Sequence, residues 1–254
     1  MIYISILDRI VQDKQREIPL LESYRNQFKV VKSRFKDIFT SGDIAFIGEI
    51  KPASPIKGEF LSRENLEVVI KELTSVPISA VSVLTDSHFN ASIENIGLVR
   101  RYADIPILRK DFIIDELQIF ESSLYEVDAI LLIARILSKE SLKLLYSLSL
   151  SLGIEPVVEV YSIEDLEKTL ELNPSIVLIN NRNLETFEVN IRHTEEIKRY
   201  IPNSIKIISA SGISSRRDVE YLKSLGIDGI LVGEAIMKTR DIKSRVMELM
   251  GIES

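Results

Sequence analysis

The chain has 254 residues, 45% hydrophobic and 28% charged, with a formal net charge of −6 and a pI near 5.2. That length admits one large α/β domain or two small ones, and the acidic balance argues against non-specific nucleic-acid binding while leaving room for a local small-anion site. There are no cysteines and only two histidines, His88 and His193, which excludes disulfides, thiol catalysis and thiolate metal sites and argues against a histidine zinc site.

Residues 1–42 hold two segments with helical patterning, "ISILDRIVQDKQREI" (4–18) and "VVKSRFKDIF" (30–39). Charged residues interrupt the first, unlike a secretory signal, and no apolar run reaches the roughly 18 residues of a membrane span. A cytoplasmic protein without membrane attachment is expected. The "NAS" sequon at Asn90 is read as chance in that setting.

From residue 43 a different rhythm begins. Short runs rich in Ile, Val and Leu occupy residues 43–51, 78–86, 105–111, 127–135, 154–160, 175–182, 204–212 and 227–234. Each is continuous rather than alternating, as expected for strands buried on both faces of a parallel sheet. Helical segments lie between them. "SRENLEVVIKEL" opens at Ser62 with Glu64 and Glu67 near its start, and "SKESLKLLYSLSLSLG" closes on Gly153. "SIEDLEKTLEL" and "SSRRDVEYLKSLG" place serine at the cap ahead of an apolar stripe. Eight alternations of strand and helix predict a single (β/α)8 TIM barrel over residues 43–254. The N-terminal helical extension, 1–42, would cap it or fold over its rim, giving one domain overall. A doubly wound open sheet is the other arrangement, but neither G-x-G-x-x-G nor G-x-x-x-x-G-K-[ST] is present.

In such a barrel the C-terminal strand ends converge on one mouth. The charged and polar residues there are Glu49, Lys51, Lys110, Asp111, Glu159, Asn180, Arg182 and Ser211. Any one of them could simply be solvated or salt-bridged. Two lysines and two glutamates together point to acid–base chemistry, because gathering them has a desolvation cost and shifts their pKa values. Gly212 and Gly233 follow the last two strands, where a glycine turn lets backbone N–H groups approach a phosphate. Phe89, Phe112, Leu131, Leu184 and Leu231 would line the mouth, as core or rim residues that could together sandwich an aromatic ring. His88 is read as a solvated loop histidine, and His193 has no expected role.

In order along the chain, "IGEIKPASPIKG", "VSVLTD", "IPILRKDFIID", "DAILLIARIL", "VVEV", "INNRNLETFEVN", "SASGI" and "LVGEAIM" resemble indole-3-glycerol-phosphate synthase. The resemblance implies a cofactor-free, metal-free reaction on a small molecule in tryptophan biosynthesis. There, 1-(2-carboxyphenylamino)-1-deoxyribulose 5-phosphate closes a ring and loses carbon dioxide and water. It implies Lys110 as general acid at the keto oxygen and Glu159 as general base. Lys51 would bind the anionic substrate and serve as a second acid, with Glu49 holding a lysine in place. Ser54, Asn180 and Arg182 would orient the substrate, Ser211 would bond near the ring, and Gly212, Gly233 and the backbone of Glu234 would cradle the phosphate. A monomer or weak homodimer is expected.

The chain departs from the family pattern at several positions. Ala210 stands where a glutamate is usual, Leu178 and Ala91 where glycine is usual, and Ile56 where serine is usual. The loop after the second strand is one residue short. A weakened or non-catalytic phosphate-binding barrel derived from the family is therefore a second reading. A phosphoribosylanthranilate isomerase would lean on a Cys–Asp pair that this chain cannot supply, and a Schiff-base aldolase would form a trappable adduct on Lys51 or Lys110.

Overall fold

The eight continuous apolar runs become eight parallel strands. They are β1 (Ala45–Ile50), β2 (Ala80–Leu84), β3 (Ile107–Lys110), β4 (Ala129–Ile133), β5 (Glu155–Val160), β6 (Ile176–Asn180), β7 (Lys206–Ala210) and β8 (Gly229–Val232). The sheet closes into a barrel because β1 pairs with both neighbours, Ala45 opposite Gly229 and Ile47 opposite Ala80. The computed structural model describes residues 5–25, 27–40, 42–54, 58–61, 63–184 and 186–252. Ser62 and Ile56 lie outside the described residues, as do the side chains of Ser54 and Glu64.

Helix α1 (Ile6–Glu17) precedes the barrel. Then α2 (Arg63–Thr74), α3 (Glu94–Arg100), α4 (Glu116–Leu124), α5 (Lys139–Ser151), α6 (Ile163–Leu170), α7 (His193–Lys198) and α8 (Arg216–Ser224) each follow a strand, and α9 (Glu234–Met237) and α10 (Ile242–Met250) follow β8. Local chemistry sets the starts: Ser162 and Ser215 form capping boxes with Asp165 and Asp218, and Ser138 caps α5.

Each strand buries both faces. Val81, Ile107, Leu132, Val158 and Ile230 point outward into the layer under the helices. Ile47, Leu108, Leu131, Val157, Leu178 and Leu231 fill the interior. This two-residue period explains why β3 ends in "RKD". Arg109 points outward, where it is buried against Glu121 at 2.8 Å, Asp111 at 3.0 Å and Ser122 at 2.9 Å. Lys110 points inward to the mouth.

The extension differs from its predicted form over 30–39. Only a 3-10 turn, Phe35–Phe39, is present there, preceded by chain that is neither helix nor strand. The reason lies in its partners. Val31 N–H donates to the Leu152 carbonyl at 2.7 Å, and Arg34 N–H donates to Asp128 at 3.0 Å, so barrel groups replace the i−4 carbonyls a helix would use. The strap carries Phe35 and Ile38 into the interior cluster, beside the strand starts Ala45 and Ala129. Lys36 pairs there with Glu155 at 3.1 Å. The extension thus works at both ends, with the strap plugging the bottom and α1 lying over the mouth.

Candidate active site

Following the strand register around the barrel resolves its interior into rings of four. Strands β1, β3, β5 and β7 contribute Glu49, Lys110, Glu159 and Ala210 to one ring, and β2, β4, β6 and β8 contribute Ser82, Leu131, Leu178 and Leu231 to the ring beneath. Three charged groups therefore share one level above a floor that is mostly leucine. The fourth corner, Ala210, is apolar and buried. Leu178 fits the interior without exposure, and Ala91 is not among the residues with positive φ, so neither position requires glycine.

The charged ring is wired by short contacts. Lys110 Nζ lies 3.2 Å from Glu49 Oε2. Asn180 Nδ2 donates to Glu159 Oε1 at 3.0 Å, while its Oδ1 accepts from Ser211 Oγ at 2.9 Å and from the Arg182 N–H at 3.0 Å. This chain orients the amide so that its donor end faces the carboxylate. Ser211 holds φ of 72° and Gly212 φ of 79°, two successive left-handed residues that turn the backbone out of β7. A Cβ on Gly212 would meet only the half-exposed Val189 side chain, which has room to shift, so this turn favours glycine for its left-handed conformation. Strain at a non-glycine residue persists where surrounding contacts hold it, and here the Asn180 bond does so.

Electrostatics separates the two lysines. Burial lowers the Lys51 pKa, with Lys110 and Arg182 adding to that against the pull of Glu49. For Lys110 burial also acts downward, but Glu49 and Glu159 outweigh it and hold the ammonium above its ordinary value. Burial pushes Glu49 upward, yet Lys110 and Lys51 keep it below the usual carboxylate range. Glu159 is raised, chiefly by burial over the apolar floor, which makes it a stronger base than a solvated carboxylate.

All these groups line one cavity of about 730 Å³ together with Phe89, Phe112, Leu131, Leu184, Leu231, Arg182, Gly212, Gly233 and Glu234. The Phe89 and Phe112 rings stack at 6.3 Å, and Lys51 Nζ sits 5.1 Å from the Phe89 centroid. The extension was expected to cap the barrel or fold over its rim, but the residues that do so were not singled out: Ile6, Leu7 and Ile10 of α1 face the cavity. Their spacing was the available signal, an apolar stripe on a helix that must cover something. Lys238 and Arg245 also line the cavity and were missed, since helix-surface cations carry no distinguishing mark in sequence.

One expectation is refined and one is corrected. Asp111 borders the cavity, but its carboxylate is spent on Thr85 at 2.6 Å, Arg109 at 3.0 Å and Lys14 at 2.9 Å. His88 is not merely solvated. It bridges Asp86 at 3.0 Å and Asp13 of α1 at 3.2 Å. Lys14, buried on α1, joins the same cluster through Asp86 at 3.0 Å and Glu17 at 2.9 Å, and so pins the roof to the loops after β2 and β3. His193 bonds the Tyr161 carbonyl at 2.6 Å and is not among the residues that line the cavity. Among the described residues no group of three or more His, Cys, Asp or Glu is arranged to hold a metal, and no helix is long and apolar enough to cross a membrane.

Comparison with solved structures agrees on the barrel. 3-Hexulose-6-phosphate synthase from Salmonella typhimurium superposes with a TM-score of 0.66 at 14% identity over 82% of this chain and 97% of that one, a likeness of fold alone. Sequence relatives are more specific. Indole-3-glycerol phosphate synthase of Clostridium kluyveri is 40% identical over 246 residues, covering 92% of this chain and 93% of that protein. The Thermoanaerobacter sp. (strain X514) protein of the same name is 40% identical over 253 residues, 96% and 97% of the two chains. The sequence model described as indole-3-glycerol phosphate synthase matches residues 6–249. Barrel, mouth and relatives agree: the chain belongs to the indole-3-glycerol phosphate synthase family.

Proposed function

We propose that the ring of Glu49, Lys110 and Glu159, with Lys51 above it, carries out the ring closure, decarboxylation and dehydration that make indole-3-glycerol phosphate. The observation that carries this reading is the division of labour in the ring: a carboxylate made more basic stands at one corner and a lysine held charged at another, over leucines.

The phosphate of 1-(2-carboxyphenylamino)-1-deoxyribulose 5-phosphate binds the backbone N–H groups of Gly212, Gly233 and Glu234. Its aromatic ring lies against Phe89, Phe112, Leu131, Leu184 and Leu231. Lys110, charged in the empty site, donates a proton to the keto oxygen as the ring carbon bearing the carboxylate attacks the keto carbon. Carbon dioxide then leaves, and the electron pair of the broken bond stays in the ring. An apolar floor helps this step, because a carboxylate there is poorly solvated whereas carbon dioxide is neutral. The new hydroxyl departs as water with a proton from an acid. Lys51, whose pKa is lowered, suits that role better than Lys110. Glu159 takes the proton from the neighbouring carbon, completing the indole. Asn180 holds Glu159, Ser211 holds Asn180, and Glu49 keeps Lys110 charged and placed. Arg182 has the forked geometry to receive the substrate carboxylate.

The described part of the extension acts with the barrel as one unit, since α1 roofs the cavity and the strap plugs the opposite end of the barrel. The weakened-barrel reading rests chiefly on Ala210, and every other costly group of the ring is retained. Fluorescence of the indole product on addition of the substrate tests the proposal: turnover by the wild type that Lys110→Ala abolishes supports it, and turnover that survives Lys110→Ala refutes the acid role.

A further inference from the structure

The cations at the phosphate end of the cavity are already occupied by the protein itself. Glu234 directly follows Gly233 at the start of α9. Its Oε2 lies 3.3 Å from Nη2 of Arg182, and its Oε1 lies 2.6 Å from Nζ of Lys238. The three residues come from the loop after β6 and from α9 with its end, and all border the same cavity as Gly212 and Gly233. Lys51 also feels the Glu234 charge.

A carboxylate bridging two cations beside a glycine turn is the arrangement an entering phosphate would itself make. A phosphate dianion and the Glu234 carboxylate cannot both hold these positions. Like charges a few ångströms apart in a partly desolvated cavity repel strongly, and each cation has a limited number of donors to share. The Glu234 side chain is about a third exposed, so it has a path out to water.

We infer that Glu234 is an internal competitor for the substrate phosphate. In the empty site its carboxylate holds Arg182 and Lys238, and phosphate binding displaces it toward solvent and releases both. This inference rests on the reading of the Gly212–Gly233 end as the phosphate subsite. It makes Glu234 a specificity-determining residue. Arg182 becomes available to a ligand carboxylate when a phosphate has moved Glu234 aside, so an aromatic carboxylate lacking a phosphate meets an Arg182 that is already paired. Lys238 becomes a phosphate-binding side chain.

The test is calorimetric titration of wild type, Glu234→Gln and Lys238→Met with inorganic phosphate, with indole-3-glycerol phosphate and with anthranilate. Glu234→Gln is near-isosteric, and its melting temperature reports that it folds. The expected result is inorganic phosphate bound about tenfold more tightly by Glu234→Gln than by wild type, a gain for anthranilate as well, and weaker phosphate binding by Lys238→Met. Equal or weaker phosphate binding by Glu234→Gln, with the wild type binding measurably, overturns the competitor role and leaves the subsite standing. Failure of all three proteins to bind either phosphate-bearing ligand overturns the subsite and the competitor role with it.

Discussion

Replacing Lys14 with methionine removes one ammonium and leaves two carboxylates facing the gap. Lys14 is buried on α1 and lies 3.0 Å from Asp86 and 2.9 Å from Asp111, both buried. Burial opposes its charge, but Asp111 and Asp86 more than compensate and hold its pKa well above the ordinary lysine value. The two carboxylates do not lose equally. Asp111 keeps Arg109, Thr85 and the Phe112 N–H, whereas Asp86 keeps only the His88 contacts at Oδ1 and loses the ammonium beside Oδ2, which accepts no other hydrogen bond among the described residues. Breaking a buried ion pair from one side costs about 3–5 kcal/mol, because the remaining charge is stranded. At about 2 °C per kcal/mol for a chain of this size, the melting temperature should fall by about 6–10 °C. Adding Asp86→Asn removes the stranded charge and should recover most of that loss. Thermal unfolding followed by circular dichroism at neutral pH is the assay. A Lys14→Met protein melting within about 2 °C of wild type would refute the reasoning, as would a double variant no more stable than the single one.

The rate should follow a bell-shaped pH profile. Glu159 must be ionised and its pKa is raised by burial, so activity falls on the acid side at a pH above the ordinary 4.5; Lys51 must be protonated and its pKa is lowered by burial, so activity falls on the alkaline side below the ordinary 10.5. Limbs at the two ordinary values, measured in kcat/KM, would contradict both assignments. Gly153→Ala should lower the melting temperature by more than about 4 °C, corresponding to about 2 kcal/mol or more. Gly153 holds φ of 74°, and a Cβ there runs into the Val31 carbonyl of the bottom strap. An unchanged melting curve would mean that the strap contributes little.

The features readable from sequence were those fixed by period and topology. Continuous Ile, Val and Leu runs at regular spacing specify strands buried twice over, and strand-end positions specify convergence, so Lys110, Glu159 and Asn180 could be placed together although they are far apart in the chain. What could not be read depends on which neighbour a side chain meets in space. Asp111 stands next to Lys110 in sequence yet faces Arg109 and Lys14, because adjacent residues at a strand end point to opposite sides. His88 has no partner in its own stretch except Asp86, and its second, Asp13, arrives from α1, 75 residues away. The strap at 30–39 carries a helical apolar pattern, but that pattern serves a plug whose N–H groups are taken by Leu152 and Asp128. The separation of the two lysine pKa values was also out of reach. Burial and proximity to Glu49 act on both, and only distances decide that Lys110 is paired at 3.2 Å while Lys51 sits over Phe89.

The most direct measurement is a fluorescence time course with 1-(2-carboxyphenylamino)-1-deoxyribulose 5-phosphate, comparing the wild type with Lys110→Ala and measuring binding of the same compound in parallel. Indole fluorescence that grows with the wild type and falls by at least about a hundredfold in rate with Lys110→Ala, binding being retained, is the predicted result. It would also show that Ala210 is compatible with turnover. Binding of the compound by the wild type without any indole formation would contradict the account, leaving a barrel that keeps its pocket and has lost its chemistry.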